Sequence, residues 1–303
     1  MSLSRQDEPD ACGLGKERES KSQSLVTVPI ERERKHYNIH HKTRGKAIIF
    51  AYSEYSKSEL PRRDFAPHDV QICTKAFKRL GYEVTVHWNF RKRHFLNILD
   101  EVRKADHSES DSLVIIFMSH GGVEKLSNNE YLWTSDAPVY TTELWRNFTP
   151  ENCPTLVGKP KMFFIQACRG TGSDKGVKLK NDFGLKVETD AVSTTKKKED
   201  LALPICPDML MMWASYPGTY AFNSYHGVIN GSVFLHYLVE VLDKWAERED
   251  LFSMLLRLTR EVAIHYEAYC PSEYQMHKSK QIPYLFSTLT KNMHFFEKKS
   301  NLE

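Results

Sequence analysis

No stretch of this sequence is long and apolar enough to cross a bilayer as a helix. The apolar runs are of strand length, far short of the roughly 20 residues a span needs. Residues 1 to 36 hold no apolar segment of the kind a secretory leader requires. A dominant charge is missing too. Forty-two Lys and Arg against 39 Asp and Glu leave a net +3 over 303 residues, too little for an electrostatic footprint on nucleic acid or membrane. The run Lys196-Lys-Lys198 is followed by Glu199 and Asp200 and reads as a solvated loop. Cysteine is sparse and scattered, at positions 12, 73, 153, 168, 206 and 270. With no Cys-x-x-Cys pair, neither a zinc site nor a disulfide framework is expected. His40-His41 has no partner at metal spacing. Gly170-Thr-Gly172-Ser-Asp-Lys-Gly176 misses both nucleotide-loop spacings, and there is no G-x-S-x-G elbow. The expectation is a cytoplasmic protein with no cofactor, no metal, and no nucleic-acid or membrane partner.

What is present is a series of strand-length apolar runs alternating with helical stripes. Residues 1 to 36 are polar, without period, and read as disordered. Lys46-Ala-Ile-Ile-Phe-Ala-Tyr52 is a strand, apolar on both faces. Ala66 to Leu80 carries Val70, Cys73, Ala76, Phe77 and Leu80 at helical spacing and is stopped by Gly81. Tyr82 to Trp88 is β-branched and aromatic, hence a strand. Arg91 to His107 is helical by Phe95, Ile98, Leu99 and Val102. Leu113 to Met118 is the third strand. This βαβαβ order implies a parallel sheet covered on both faces.

Residues 121 to 140 read as a short hairpin, followed by a helix around Thr142 to Phe148. A strand then ends near Cys168, and a polar stretch from Gly170 to Leu203 forms a long loop or linker. Met209 to Ala214 is a strand. Val233 to Glu247 and Leu251 to Tyr269 are helices, and Pro283 to Leu289 is the last strand.

Two of these strands end in reactive side chains. Leu113-Val-Ile-Ile-Phe-Met118 runs into Ser119-His120-Gly121-Gly122. Lys161-Met-Phe-Phe-Ile-Gln-Ala-Cys-Arg-Gly170 places a thiol where a buried strand emerges. α/β proteins concentrate chemistry at such strand ends. A cysteine hydrolase needs a thiolate, a base or acid beside it, and N–H donors for an oxyanion. Cys168, His120 and the backbone of Gly121 and Cys168 are candidates for these parts. The residues alone leave a second reading open, in which Cys168 is an inert packed thiol and His120 a satisfied loop histidine.

A resemblance narrows this choice. Gln166-Ala-Cys-Arg-Gly170, with a Ser-His-Gly about 50 residues upstream, is similar to the signature of the caspase family. Asp106-His-Ser108, Gly158 to Ile165, Gly231-Ser232, Lys280-Gln-Ile-Pro283 and Leu289-Thr-Lys291 also resemble short-prodomain executioner caspases. The likeness runs from about Tyr37 to the C-terminus. It implies an α/β fold of three layers, a six-stranded, mostly parallel sheet between helices. It implies a prodomain (1–36), a large subunit (37–190), the remainder of an intersubunit linker (191–203) and a small subunit (204–303). Cys168 would be the nucleophile and His120 the proton donor to the leaving amine. Gly121 and Cys168 would hold the oxyanion, and the Pro61 carbonyl would orient the imidazole. Two subunit pairs would join through the last strand, as a homodimer or with another caspase.

Members of the family cut protein substrates after aspartate, and two sites here resemble such targets. Asp10-Ala11 follows Asp7-Glu8-Pro9, and Asp190-Ala191 follows Val187-Glu-Thr189. That layout implies a zymogen processed at Asp10 and Asp190, with a role in apoptosis. The substrate pocket departs from the pattern. The resemblance assigns it Arg63, Gln166, Tyr220 and Phe222, but Asn223 stands where a second arginine is expected. No arginine occurs between Arg169 and Arg248 to replace it. Val233, preceded by a short insertion, replaces a groove tryptophan. The implied activity is a cysteine endopeptidase with weakened or shifted Asp specificity. The alternative is a catalytically poor homologue that dimerises with an active caspase and regulates it.

Overall fold

The computed structural model describes residues 34–124, 127, 129–176, 207–225 and 229–296. The expected prodomain up to residue 33, most of the linker, and both Asp10 and Asp190 lie outside these residues.

In chain order the elements are β1 (Thr43–Ala51), α1 (Ala66–Arg79), β2 (Glu83–Trp88), α2 (Lys92–Lys104), β3 (Ser110–Met118), β4 (Gly121–Val123), β5 (Glu130–Trp133), β6 (Pro138–Tyr140), β7 (Lys161–Gln166), β8 (Met209–Trp213), β9 (Asn223–Ser224), β10 (Gly231–Ser232), α3 (Val233–Trp245), α4 (Leu251–His265) and β11 (Tyr284–Ser287). Six strands form one sheet in the order β11-β8-β7-β3-β1-β2. Neighbours pair in parallel except β11, which runs antiparallel to β8. The βαβαβ strands β2, β1 and β3 pair in parallel as expected, and the mostly parallel six-stranded sheet implied by the family resemblance is mixed only at β11. The reason lies at the edge: β11 follows α4 and returns alongside β8 in the opposite sense.

The continuous apolar runs of β3 and β7 arise because both sheet faces are covered. Val114, Ile116 and Met118 face a core shared with α1, α3 and α4, including Val70, Phe77, Leu238 and Leu258. Leu113, Ile115 and Phe117 face the opposite core with Phe95 and Leu99 of α2 and Phe148. The alternation therefore divides between two cores, giving three layers. Lys161, 1% exposed at the start of β7, is accommodated because its ammonium donates to the carbonyls of Leu156 and Lys159.

Three local readings change. The expected hairpin over 121–140 is a three-stranded antiparallel sheet, β4-β5-β6. Its first strand is the three residues Gly121–Val123, too short to show a period. The helix expected around Thr142 to Phe148 is a single 3-10 turn, Thr141–Leu144. Pro150 disfavours helical backbone at Thr149, so little room exists to propagate it. The second helix ends at Lys104 rather than at His107, because Ala105 turns extended. His107 then folds back, buried, with Nε2 2.7 Å from the Val102 carbonyl.

Candidate active site

The register of the central sheet places the two reactive strand ends together. Met118 of β3 pairs with Gln166 of β7. The chain continues two residues past each, to His120 and to Cys168, at the same edge of parallel neighbours. The Ser119 amide donates to the Gln166 carbonyl at 3.0 Å, extending the ladder one step beyond β3.

Gly121 sits against the cysteine's backbone. A Cβ there would lie 2.8 Å from the Cys168 carbonyl oxygen, 3.0 Å from that of Tyr131 and 3.1 Å from the Ala167 Cβ. Only glycine fits this approach.

His120 Nε2 lies 2.8 Å from the Pro61 carbonyl oxygen. A carbonyl only accepts, so in the neutral ring Nε2 carries the proton and Nδ1 is the free base. Burial lowers the His120 pKa, opposed by the Pro61 hydrogen bond and assisted by the Arg63 charge. Burial pushes the Cys168 thiol up, opposed by the Ala221 backbone and by Arg63. The Ala221 amide donates to Sγ at 3.4 Å, and the thiol reaches the Ala221 carbonyl at 3.5 Å. Both shifts favour a neutral thiol and a neutral imidazole at rest.

Two residues outside the proposed chemistry support the site. The Tyr55 ring packs on His120 with centroids 5.0 Å apart. Its hydroxyl meets Ser119 Oγ at 2.9 Å and the His120 amide at 3.4 Å. Arg169, inside the cysteine motif, pairs with Glu130 at 2.6 Å. Its guanidinium lies over the rings of Trp213 and Tyr284, tying the cysteine loop to β5, β8 and β11. A tyrosine in the charged loop after β1 has no pattern to distinguish it; only the folded contacts do.

Among the residues assigned to the pocket, Arg63 and Gln166 are each 3% exposed. The Arg63 guanidinium donates to the Tyr52 carbonyl at 2.9 Å, and its charge acts on both Cys168 and His120. Among the described residues no carboxylate forms an ion pair with it. Gln166 Oε1 is buried without a hydrogen-bond partner among them. Tyr220 and Phe222 pack together at 6.1 Å, and the Phe222 amide donates to Gln281 Oε1 at 2.7 Å. Asn223 is exposed in β9, its Oδ1 3.1 Å from the Ser232 hydroxyl. Val233 is fully buried at the start of α3, so it does not stand in the groove.

Residues 44–294 match the family model of the caspase domain. The chain belongs to the caspase family. It is 34% identical to Caspase-1 of Drosophila melanogaster over 274 residues, 90% of this chain and 80% of that protein. Caspase-3 of Bos taurus is 33% identical over 75% of each chain. The crystal structure of Caspase-1 from Spodoptera frugiperda superposes with a TM-score of 0.79 at 30% identity, covering 90% of this chain and 100% of that one. This caspase is accordingly of the cysteine-protease type, a hydrolase. No helix of the described residues is long and apolar enough to cross a membrane.

Proposed function

We propose that this caspase is an endopeptidase that cuts protein substrates after aspartate in apoptosis. The observation that carries the reading is Arg63, a buried guanidinium beside Cys168 with no ion-pair partner among the described residues. A buried cation without a counter-ion is costly, and a substrate carboxylate supplies one. In the proposed reaction the thiol proton passes to His120 Nδ1 as Sγ adds to the scissile carbonyl. The amides of Gly121 and Cys168 donate to the oxyanion that forms. His120 then protonates the leaving amine, and water hydrolyses the thioester. Pro61 holds the ring through Nε2, leaving Nδ1 for both transfers. Tyr220 and Phe222 line the substrate groove.

The chain is made as a zymogen cleaved after Asp10 and Asp190, separating prodomain, large subunit and small subunit, and it acts in the cytoplasm. Two subunit pairs dimerise through β11. That strand lies at the edge of the sheet, with an apolar groove of about 550 Å³ beside it lined by Tyr216, Leu256, Ile282 and Leu285. Unpaired strand edges are templates for a second chain.

A peptide library varied at the residue before the scissile bond tests the activity. Turnover is expected with Asp, absent in Cys168→Ala. No turnover at any residue would exclude the enzyme reading. Asn223, a neutral side chain where the family pattern has a cation, favours a second reading in which the chain pairs with an active caspase and regulates it. Mixing the two proteins and following the active partner's rate distinguishes the readings, since a regulator changes that rate.

A further inference from the structure

One aromatic side chain beside His120 takes no part in the proposed chemistry, yet it meets that residue at both ring and backbone. The Tyr55 ring is tilted 41° to the imidazole, with centroids 5.0 Å apart. Its hydroxyl belongs to a chain of hydrogen bonds in which every proton has one acceptor. The Ser119 hydroxyl donates to the Trp133 carbonyl at 2.6 Å. Ser119 Oγ is then left to accept, and the Tyr55 hydroxyl donates to it at 2.9 Å. The Tyr52 carbonyl, another acceptor near that hydroxyl, is farther away at 3.4 Å. The Tyr55 oxygen in turn faces the His120 amide at 3.4 Å, and the Trp133 amide donates to the His120 carbonyl at 2.9 Å. The loop that carries Tyr55 is itself fastened on both sides. The Ser53 and Glu54 amides donate to Asn89 Oδ1 at 2.8 and 3.2 Å. The Ser56 amide donates to the Ser135 carbonyl at 2.7 Å, and the Lys57 ammonium lies over the Trp133 ring.

We propose that Tyr55 positions His120 for proton transfer, its ring setting the plane of the imidazole and its hydroxyl steadying the backbone beneath it. Resting on the proteolytic reading above, this adds a positioning residue to that reaction. The Pro61 carbonyl holds the imidazole at one atom, Nε2. A single hydrogen bond to a carbonyl tolerates a broad range of directions, so alone it leaves the ring free to swing. The Tyr55 ring closes one side of that swing and keeps Nδ1 on one heading. Both proton transfers of the proposed reaction use Nδ1, and such transfer needs hydrogen-bond reach. A swing that carries Nδ1 about an ångström away lowers the rate without altering how the substrate is held. The hydroxyl acts one step back, tying the His120 amide to Ser119 and so to the Trp133 carbonyl in β5.

The test compares Tyr55→Leu, which removes the ring, with Tyr55→Phe, which keeps the ring and removes only the hydroxyl. On an Asp peptide, Tyr55→Leu in the full chain is expected to lower kcat by at least about tenfold, with KM within about twofold. Tyr55→Phe is expected to recover most of that loss, staying within about threefold of the unaltered chain. A second readout needs no turnover: nitrogen NMR of the histidine rings, with the His120 signals assigned by their loss in His120→Gln. At a pH where the ring is neutral, the unaltered chain and Tyr55→Phe should each show one tautomer, protonated at Nε2. Tyr55→Leu should show both, because a ring that swings free exchanges the Pro61 carbonyl for water. Tyr55→Met carries the same expectations if leucine is not accommodated. A single tautomer or an unchanged kcat in the ringless variants overturns the assignment, as does a loss in Tyr55→Phe as large as theirs. Absence of turnover by the unaltered chain overturns the proteolytic reading, and the tautomers then decide the role of Tyr55 by themselves.

Discussion

Met118 and Gln166 are register partners in adjacent parallel strands, and each lies two residues before a reactive side chain. Equal spacing from paired residues is what brings His120 and Cys168 to one edge. A one-residue slip of β7 against β3 would turn the following side chains to the other face of the sheet. The slip is opposed by both cores at once, since Phe163 and Phe164 are buried on opposite faces. The proposed catalytic geometry is therefore held by apolar packing distant from the thiol.

Gly121→Ala tests the closeness of that approach. Its Cβ would lie 2.8 Å from the Cys168 carbonyl, so either the cysteine loop or β4 must move. If Gly121 is the proposed oxyanion donor, displacing it is expected to cost about 100-fold to 1,000-fold in kcat. Steady-state kinetics on an Asp peptide should show that loss mainly in kcat.

Asn223→Arg is expected to raise kcat/KM on Asp substrates by roughly tenfold or more, the size expected when a buried charge pair gains a partner. Parallel assays of the two proteins on one Asp peptide check it. An unchanged value would mean that residue 223 does not face the substrate carboxylate.

The resting thiol should be poorly reactive at neutral pH. Burial holds Cys168 above the ordinary range and His120 below it. A raised thiol pKa leaves the neutral form dominant near pH 7, and the thiolate accumulates only as pH rises further. The rate of iodoacetamide labelling should therefore climb through alkaline pH, with a midpoint above the ~8.5 of a free cysteine. A plateau already reached at pH 6 would indicate a preformed thiolate–imidazolium pair and contradict the neutral resting site.

Stability should be sensitive at Phe117, which is fully buried and packs on Tyr52 at 5.1 Å and on Phe95 at 5.5 Å. Phe117→Ala is expected to lower unfolding free energy by about 3–5 kcal/mol, read from the urea midpoint. A loss below about 1 kcal/mol would mean the core collapses into the vacated space.

Much of the fold was legible because its strands are buried on both faces. Leu113 to Met118 and Lys161 to Gln166 are almost continuously apolar, a pattern few alternatives satisfy. The short β4 was not legible, because three half-exposed residues starting Gly-Gly carry no period. Nor was the direction of β11: Tyr284–Ser287 has the same side-chain alternation whichever way it runs. At the site, Cys168 and His120 stood out through their positions at strand ends. Tyr55 did not, because an aromatic in a charged loop is ordinary in isolation.

The residue types and their order were enough to specify the chemistry at issue: a thiol, an imidazole and flanking glycines, and the family resemblance marked Asn223 as standing where an arginine is expected. Those are properties of side chains, and covalent order records them in full. The environment of those groups was decided only by tertiary structure. Burial suppresses the charges of Cys168 and His120. Pro61 selects the imidazole tautomer. Arg63 is left without an ion-pair partner among the described residues, and Tyr55 is brought against the imidazole. Each depends on contacts between segments far apart in the chain, and desolvation and hydrogen bonding act through space rather than along the sequence.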